Sequence, residues 1–277
     1  WIGNEEKSVS NLISVRTLRR WLEAGLDQIR LNKEICNVSE VFTRRAKKSE
    51  SGKKQQGLTI LEKNLECSIL HIEVEQCYSC GPIPEAFVHR TIWHVFPDLT
   101  LWMENMVMVH EELNDLPRIG ISFQLQEGFE EFEWFGNGPH ESYCDRMAGV
   151  RVGRFHSCVN EQYVPYIVPQ EHGNKTELRW IMLKDTNCSG LFISSSDLFE
   201  GSVSHYPDEH LYSTSHAYKL KSHPETSVYL DHRQRGLGTG SCGPDTLERY
   251  LIRSGTHQFD YVFRPFNPTI TDPKDFF

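Results

Sequence analysis

Three short stretches of this 277-residue chain bring together residue types that do chemistry. The first is the acidic group Glu130, Glu131 and Glu133. Acid–base work needs positioned carboxylates, but these stand among Phe129, Phe132 and Trp134, the pattern of a strand with one wet face, so no catalytic carboxylate is assigned. The second is the run Gly236-Leu237-Gly238-Thr239-Gly240-Ser241-Cys242-Gly243-Pro244. Its glycine spacing resembles a dinucleotide fingerprint, yet Ser-Cys-Gly-Pro follows where a helix should start and no βαβ unit surrounds it. Glycines there allow a tight loop with left-handed backbone that brings the chain close to something else. Gly238, Ser241 and Cys242 are therefore candidate binding residues, and a purely structural turn is the alternative. The third is Glu171-His172, which face ligand hydroxyls or anchor their loop. No metal site is expected: Cys77 and Cys80 form a lone CxxC, read as a strand end rather than a zinc ribbon, and the histidines lack ligand spacing.

The elements that must hold these residues are mostly strands. Leu70, Ile72 and Val74 alternate with His71, Glu73 and Glu75, and Ile119, Ile121, Phe123 and Leu125 alternate with Gly120, Ser122 and Gln124. Further strands are expected at 87–96, 99–109, 129–135, 177–184, 190–196, 226–231, 247–253 and 258–264, with one helical turn near 206–213 after Pro207. Helical periodicity appears only over 13–30, where Val15, Leu18, Trp21 and Leu22 share one face. The basic stretch 43–56 is expected to be a solvated hairpin connection rather than an import signal. Many short strands, joined by Gly, Pro, Asn and Asp turns behind one short N-terminal helix, make an all-β antiparallel sandwich.

Composition narrows the partners. A 38% hydrophobic, 11% aromatic chain forms a packed core. A net charge of −9 argues against nucleic acid and anionic membranes, which need clustered cations. No apolar run of about 18 residues exists. Eight irregularly spaced cysteines do not form the framework of a small disulfide-rich domain and are read as thiols. A first residue Trp1 is expected of a piece of a longer chain.

The loop Pro165-Tyr166-Ile167-Val168-Pro169-Gln170-Glu171-His172-Gly173-Asn174-Lys175-Thr176-Glu177-Leu178-Arg179-Trp180 reads as a stiff turn feeding a strand. As a string it resembles the PY-P-E-GN-T-RW signature in the last domain of glycoside hydrolase family 2 β-galactosidases. Other family strings follow in order: Trp134-Phe135-Gly136-Asn137-Gly138-Pro139-His140-Glu141 running to Asp145-Arg146; Ser204-His205-Tyr206 with Thr214-Ser215-His216; and Asp231 leading into Gly236–Pro244. The resemblance covers roughly residues 57–266. It implies a galactose mutarotase-like β-supersandwich over residues 41–277, with residues 1–40 as a lead-in from a preceding domain. It further implies a part in hydrolysing terminal β-D-galactose residues of β-galactosides, with both catalytic glutamates on a β/α barrel outside this chain. That barrel and the sugar are the implied partners, a homo-oligomer is consistent with the family, and a cytoplasmic location is expected. No cofactor is assigned to this chain, while magnesium and sodium serve the complete enzymes. In the family the glycine loop lines the sugar pocket, and some members carry Trp where Cys242 stands. Trp1-Ile2-Gly3-Asn4-Glu5-Glu6 departs from the family string expected there. The alternative to an enzyme domain is a free-standing carbohydrate-binding or interaction protein.

Overall fold

The computed structural model describes residues 30–42, 68–238, 243–267 and Phe276. The helix expected over 13–30, the Trp1–Glu6 departure, the basic stretch 43–56, and Ser241 and Cys242 lie outside them, apart from Arg30. Eleven strands carry the described chain: β1 (Arg30–Phe42), β2 (Ser68–Cys80), β3 (Ile83–Val95), β4 (Leu101–Val109), β5 (Arg118–Leu125), β6 (Glu131–Gly138), β7 (Arg151–Cys158), β8 (Lys175–Lys184), β9 (Gly190–Ser204), β10 (Thr226–Gln234) and β11 (Gly255–Phe266). All the pairings are antiparallel. One short helix, α1 (Asp208–Ser213), follows Pro207 as expected. The fold is all-β.

The strands run β1-β2-β3-β4-β11-β9-β8-β6-β7, and β10 joins β9 to β5. The 15-residue β9 makes this layering. Its first half lies between β8 and β11, and its second half turns to pair Gly201–Ser204 with β10. The inner faces then close on each other: Phe87, Met103, Val107, Phe259 and Phe263 from one layer share a core with Ile119, Val228 and Leu230 from the other. Phe123 of β5 meets Phe263 of β11 edge to face at 5.8 Å between ring centres. β1 crosses residue 40, and Phe42 stands opposite Ser68, so residues 43–67 join two neighbouring strands.

Two segments differ from their sequence pattern. Residues 247–253 form a short 3-10 turn, Glu248–Tyr250, with a single bridge from Ile252 to Leu116 instead of a strand. Here the Tyr250 carbonyl accepts the Gly236 N–H, so the segment braces the glycine loop instead of extending a ladder. β7 gives no apolar alternation in the sequence because, of its less exposed alternate positions Gly153, Phe155 and Ser157, only Phe155 is large and apolar.

The interior holds an ion pair linking β5 to β10. Arg118, 1% exposed, donates through Nε to Asp231 Oδ1 at 3.0 Å and through Nη2 to the other oxygen of the same carboxylate. Asp208 of α1 stands 3.7 Å from Nη1, and the Tyr229 ring lies under the guanidinium at 5.2 Å. Removing one member of such a pair leaves buried charge uncompensated. Arg118→Met should therefore destabilise the chain by about 3–5 kcal/mol in a urea titration. A loss under about 1 kcal/mol would show that the pair does not hold the layers together.

Candidate functional site

The family-like strings, far apart in sequence, meet at one corner of the sandwich. β6 brings in the first. Trp134 is buried between Phe132 and Phe155, at 4.8 and 5.4 Å between ring centres, and its indole N–H donates to the Asn137 carbonyl at 3.0 Å. Trp134 thus anchors the end of the strand, and the chain leaves it into residues 139–146.

Glu141 organises the loops there. One carboxylate oxygen accepts from the Arg146 guanidinium and the Tyr166 hydroxyl, and the other accepts the Gly173 N–H at 2.9 Å. One side chain thereby ties the turn before β7 to both ends of the loop before β8. Below it, Asn137 Nδ2 donates to Thr176 Oγ1 at 3.0 Å, and the Thr176 N–H donates to Ser142 Oγ at 3.1 Å. The Asn174 carbonyl accepts the Ser142 N–H at 2.8 Å. Asn174 Nδ2 donates to the Ser142 carbonyl and to Glu200 Oε2, both at 2.9 Å.

The glycine loop is seated on the same corner. Residues Tyr143–Arg146 close a tight turn through reciprocal backbone bonds of 3.2 and 2.7 Å, with the Arg146 guanidinium 4.8 Å over the Tyr143 ring. Asp145, on that turn, accepts the N–H groups of Leu237 and Gly238 at 3.0 and 2.7 Å. Asp145 beside Arg146 reads from the sequence as an ion pair or a turn anchor. The structure shows the second: Asp145 anchors its turn to two backbone donors, and Arg146 turns to Glu141. Arg179 likewise donates to the Glu177 carbonyl at 2.6 Å. Gly238 has φ +72°, a backbone that favours glycine, and a Cβ on Gly236 would meet Asp145 Oδ2 at 2.8 Å.

Glu171 and His172 are each 4% exposed and point to different partners. Glu171 accepts from Gln234 Nε2, at the end of β10, and faces Arg118. His172 Nδ1 lies 3.0 Å from the Gln170 carbonyl, and its ring stands edge-on to Tyr163 at 5.1 Å. Gly238 therefore joins this corner through Asp145, and Glu171 joins it through Gln234. The acidic group at 130–133 is paired: Glu133 with Arg154 and Lys184, Glu131 with Lys184, Glu130 with His205. Glu133 is 7% exposed, so the expected wet face is partly closed by these bases. Beside the corner a cleft of about 270 Å³ opens between Cys144, Met147, Glu200, Gln234, Arg249 and Tyr250.

Burial sets the protonation of the corner. It raises Glu171 to about 7, the Arg118 charge only partly opposing it, and Glu200 to about 8. It lowers Lys175, whose Nζ sits 5.1 Å over the Trp134 ring, to about 8, and raises the Cys144 thiol to about 12. Cys80 ends β2 in the core, and Cys36, Cys144, Cys158 and Cys188 are free thiols. Among the described residues no three His, Cys, Asp or Glu side chains are arranged to hold a metal ion. No helix among them is long and apolar enough to cross a membrane.

Sequence reasoning picked out Glu171, His172 and the glycine loop but missed Glu141, Glu200, Gln234 and the partners of Asp145. Glu141 stands four residues before Asp145, a spacing with no chemical meaning until the turn folds. Glu171 and Glu200 keep their protons to higher pH in the folded chain than in the unfolded one, where 4.5 is ordinary. Their stabilisation is complete below that value and is lost as pH rises through about 7 and 8. Glu171→Gln should thus gain on the wild type by up to about 1.4 kcal/mol per pH unit from about pH 5 to about pH 7, measured by urea titration. A stability difference that does not change with pH would contradict the raised Glu171 value.

The family model and the relatives found by sequence agree on one family. A family model described as beta galactosidase small chain matches residues 3–264. A Beta-galactosidase of Vibrio cholerae is 26% identical over 250 residues, covering 89% of this chain and 21% of that protein. One from Staphylococcus xylosus is 28% identical over 179 residues, 65% of this chain and 18% of the other, and one from Kluyveromyces lactis is 33% identical over 150 residues, 53% and 14%. The chain spans about a fifth, or less, of the length of these relatives. Among solved structures, an aldose epimerase homologue from C. elegans superposes with a TM-score of 0.38 at 10% identity, over 72% of this chain and 66% of that one. The family match takes in every segment of the corner from Trp134 to Gly238, and the chain belongs to the beta-galactosidase small-chain family.

Proposed function

We propose that this chain is the C-terminal domain of a β-galactosidase that hydrolyses terminal non-reducing β-D-galactose residues, and that it walls the sugar pocket without supplying the reacting carboxylates. The observation that carries the reading is the convergence of the family strings on the neck of the glycine loop, with Asp145, Arg235 and Thr246 holding residues 236–238. Gly238, Ser241 and Cys242 are the proposed sugar-side residues. Glu171 and His172 are proposed as supports from behind, since both are shut away from solvent.

In this reading the catalytic pair lies on a β/α barrel that packs against the glycine-loop corner, and the chain by itself does not turn over substrate. A retaining mechanism needs an acid/base carboxylate and a nucleophile about 5–5.5 Å apart on a rigid frame. The chain's contribution is binding and orientation, which lower the barrier only when the reacting groups are present. Magnesium and sodium belong to the complete enzyme, which is proposed to be cytoplasmic, to assemble as a homo-oligomer and to bind neither nucleic acid nor membrane.

The Cys242 position tests the reading. In the complete enzyme, Cys242→Trp would offer a ring face to the sugar and should tighten galactose binding by roughly 0.5–1.5 kcal/mol, with little change in melting temperature. Inhibition by galactose, measured alongside thermal melting, reads both. A drop in melting temperature with no gain in galactose affinity would instead mark Cys242 as a packed thiol, for which overpacking costs about 1–3 kcal/mol.

A further inference from the structure

The glycine loop leaves β10 between two sets of bonds that act on opposite sides of its backbone. On the carbonyl side, the fully buried Arg235 donates through Nη1 to the Gly236 carbonyl at 3.1 Å and to Thr246 Oγ1 at 2.6 Å. Thr246 Oγ1 itself donates to the Gly236 carbonyl at 2.8 Å. Arg235 is fixed in turn by Asp115 at 2.6 Å and Asp245 at 3.1 Å. On the amide side the Tyr250 carbonyl takes the Gly236 N–H at 3.0 Å, and the two oxygens of Asp145 each take one of the next two N–H groups, those of Leu237 and Gly238.

We propose that Asp145 is a positioning residue for the sugar pocket, which sets the direction of the glycine loop by holding these two amides. The inference rests on the sugar-facing reading of the loop given above. Its geometry stands on described residues only. Two adjacent amides aimed at one carboxylate fix the peptide planes on both sides of Leu237, and Gly238 follows at φ +72°. Gly236 is needed for the approach, because a Cβ there would stand 2.8 Å from Asp145 Oδ2 and 2.8 Å from Tyr250 Cβ.

Asp145 is itself held. Its turn is closed by the Tyr143 and Arg146 backbone, and Arg146 is bonded to Glu141, which also takes the Tyr166 hydroxyl and the Gly173 N–H. The sulfur of Cys144 lies 3.5 Å from the Gln234 carbonyl, so the turn follows the end of β10 on this side as well. The loop before β8 and Gly238 are thereby linked through the side chains of Glu141 and Arg146, the backbone of the turn and the carboxylate of Asp145. Asparagine at 145 would break the arrangement without changing its size: it offers one acceptor, and its own N–H group would face an amide donor.

The test uses Asp145→Asn in two settings. In this chain, hydrogen exchange at the Leu237 and Gly238 amides should accelerate about tenfold or more, while Val228 and Leu230 in β10 keep their wild-type protection. In the complete enzyme, KM for a chromogenic β-galactoside should rise about tenfold with the melting temperature nearly unchanged, and Cys242→Trp should lose its effect in the Asp145→Asn background. Asp145→Ser, which keeps one acceptor and introduces no opposed N–H group of fixed direction, serves the same comparison if Asp145→Asn does not fold. Unchanged exchange at Leu237 and Gly238 overturns the inference. Faster exchange with an unaltered KM, in an enzyme whose KM does respond to Cys242→Trp, also overturns it and leaves the sugar-facing reading standing. If neither substitution moves KM or galactose affinity, the sugar-facing reading fails and the inference falls with it.

Discussion

The corner where the family-like strings meet depends on one largely buried carboxylate. Glu141 accepts from an arginine, a tyrosine and a backbone amide that come from three separate places in the chain. Bonds to an ionised oxygen are about twice as strong as neutral ones. A single glutamate therefore holds together a turn, a loop and the start of β8 where no ladder could, because these segments meet end-on rather than side by side. The signature residues Tyr166, Gly173 and Arg146 are spread over the sequence and gain a common purpose only in its coordination. Gly173 has φ +78°, and a Cβ there would stand 2.8 Å from the Gln162 carbonyl, so the close approach that lets its N–H reach Glu141 excludes larger residues.

Beneath that corner the sandwich carries an unusual share of buried charge. Arg118, Asp208, Asp231 and Glu171 share one interior region, and Arg235 with Asp115 and Asp245 forms another. Such groups stabilise little compared with an apolar core of the same volume. What they supply here is direction: Arg118 fixes the end of β5 to β10, and Arg235 fixes the exit of β10 to the far side of the glycine loop. The acidic members that lack a full partner respond by holding their protons, as Glu171 does near 7 and Glu200 near 8. The apolar layers keep the two sheets together, and the charged interior sets where β10 ends and how the loop leaves it.

Much of this was legible in the sequence, for physical reasons that also explain the rest. Strands such as β5 alternate because one face packs on the core, and the Pro207 turn announces α1. The 247–253 segment misled because its apolar residues serve to cover a loop, with Leu247 still 59% exposed. β7 was silent because, of its less exposed alternate positions Gly153, Phe155 and Ser157, only Phe155 is large and apolar. In the site, types were readable and partners were not. Asp145 next to Arg146 looks like a pair, and only the fold shows that the aspartate reaches backbone amides more than ninety positions away, donors that no side-chain pattern records.

The central claim is that the glycine loop faces sugar in the complete enzyme, and affinity labelling tests it most directly. A galactose derivative carrying a thiol-reactive group, applied to the complete enzyme, should modify Cys242, and free galactose should suppress that modification. Cys36 and Cys188, both exposed, provide the reference, since their labelling should ignore galactose. Peptide mapping that finds Cys242 unmodified, or modified at a rate that galactose does not change, would contradict the account.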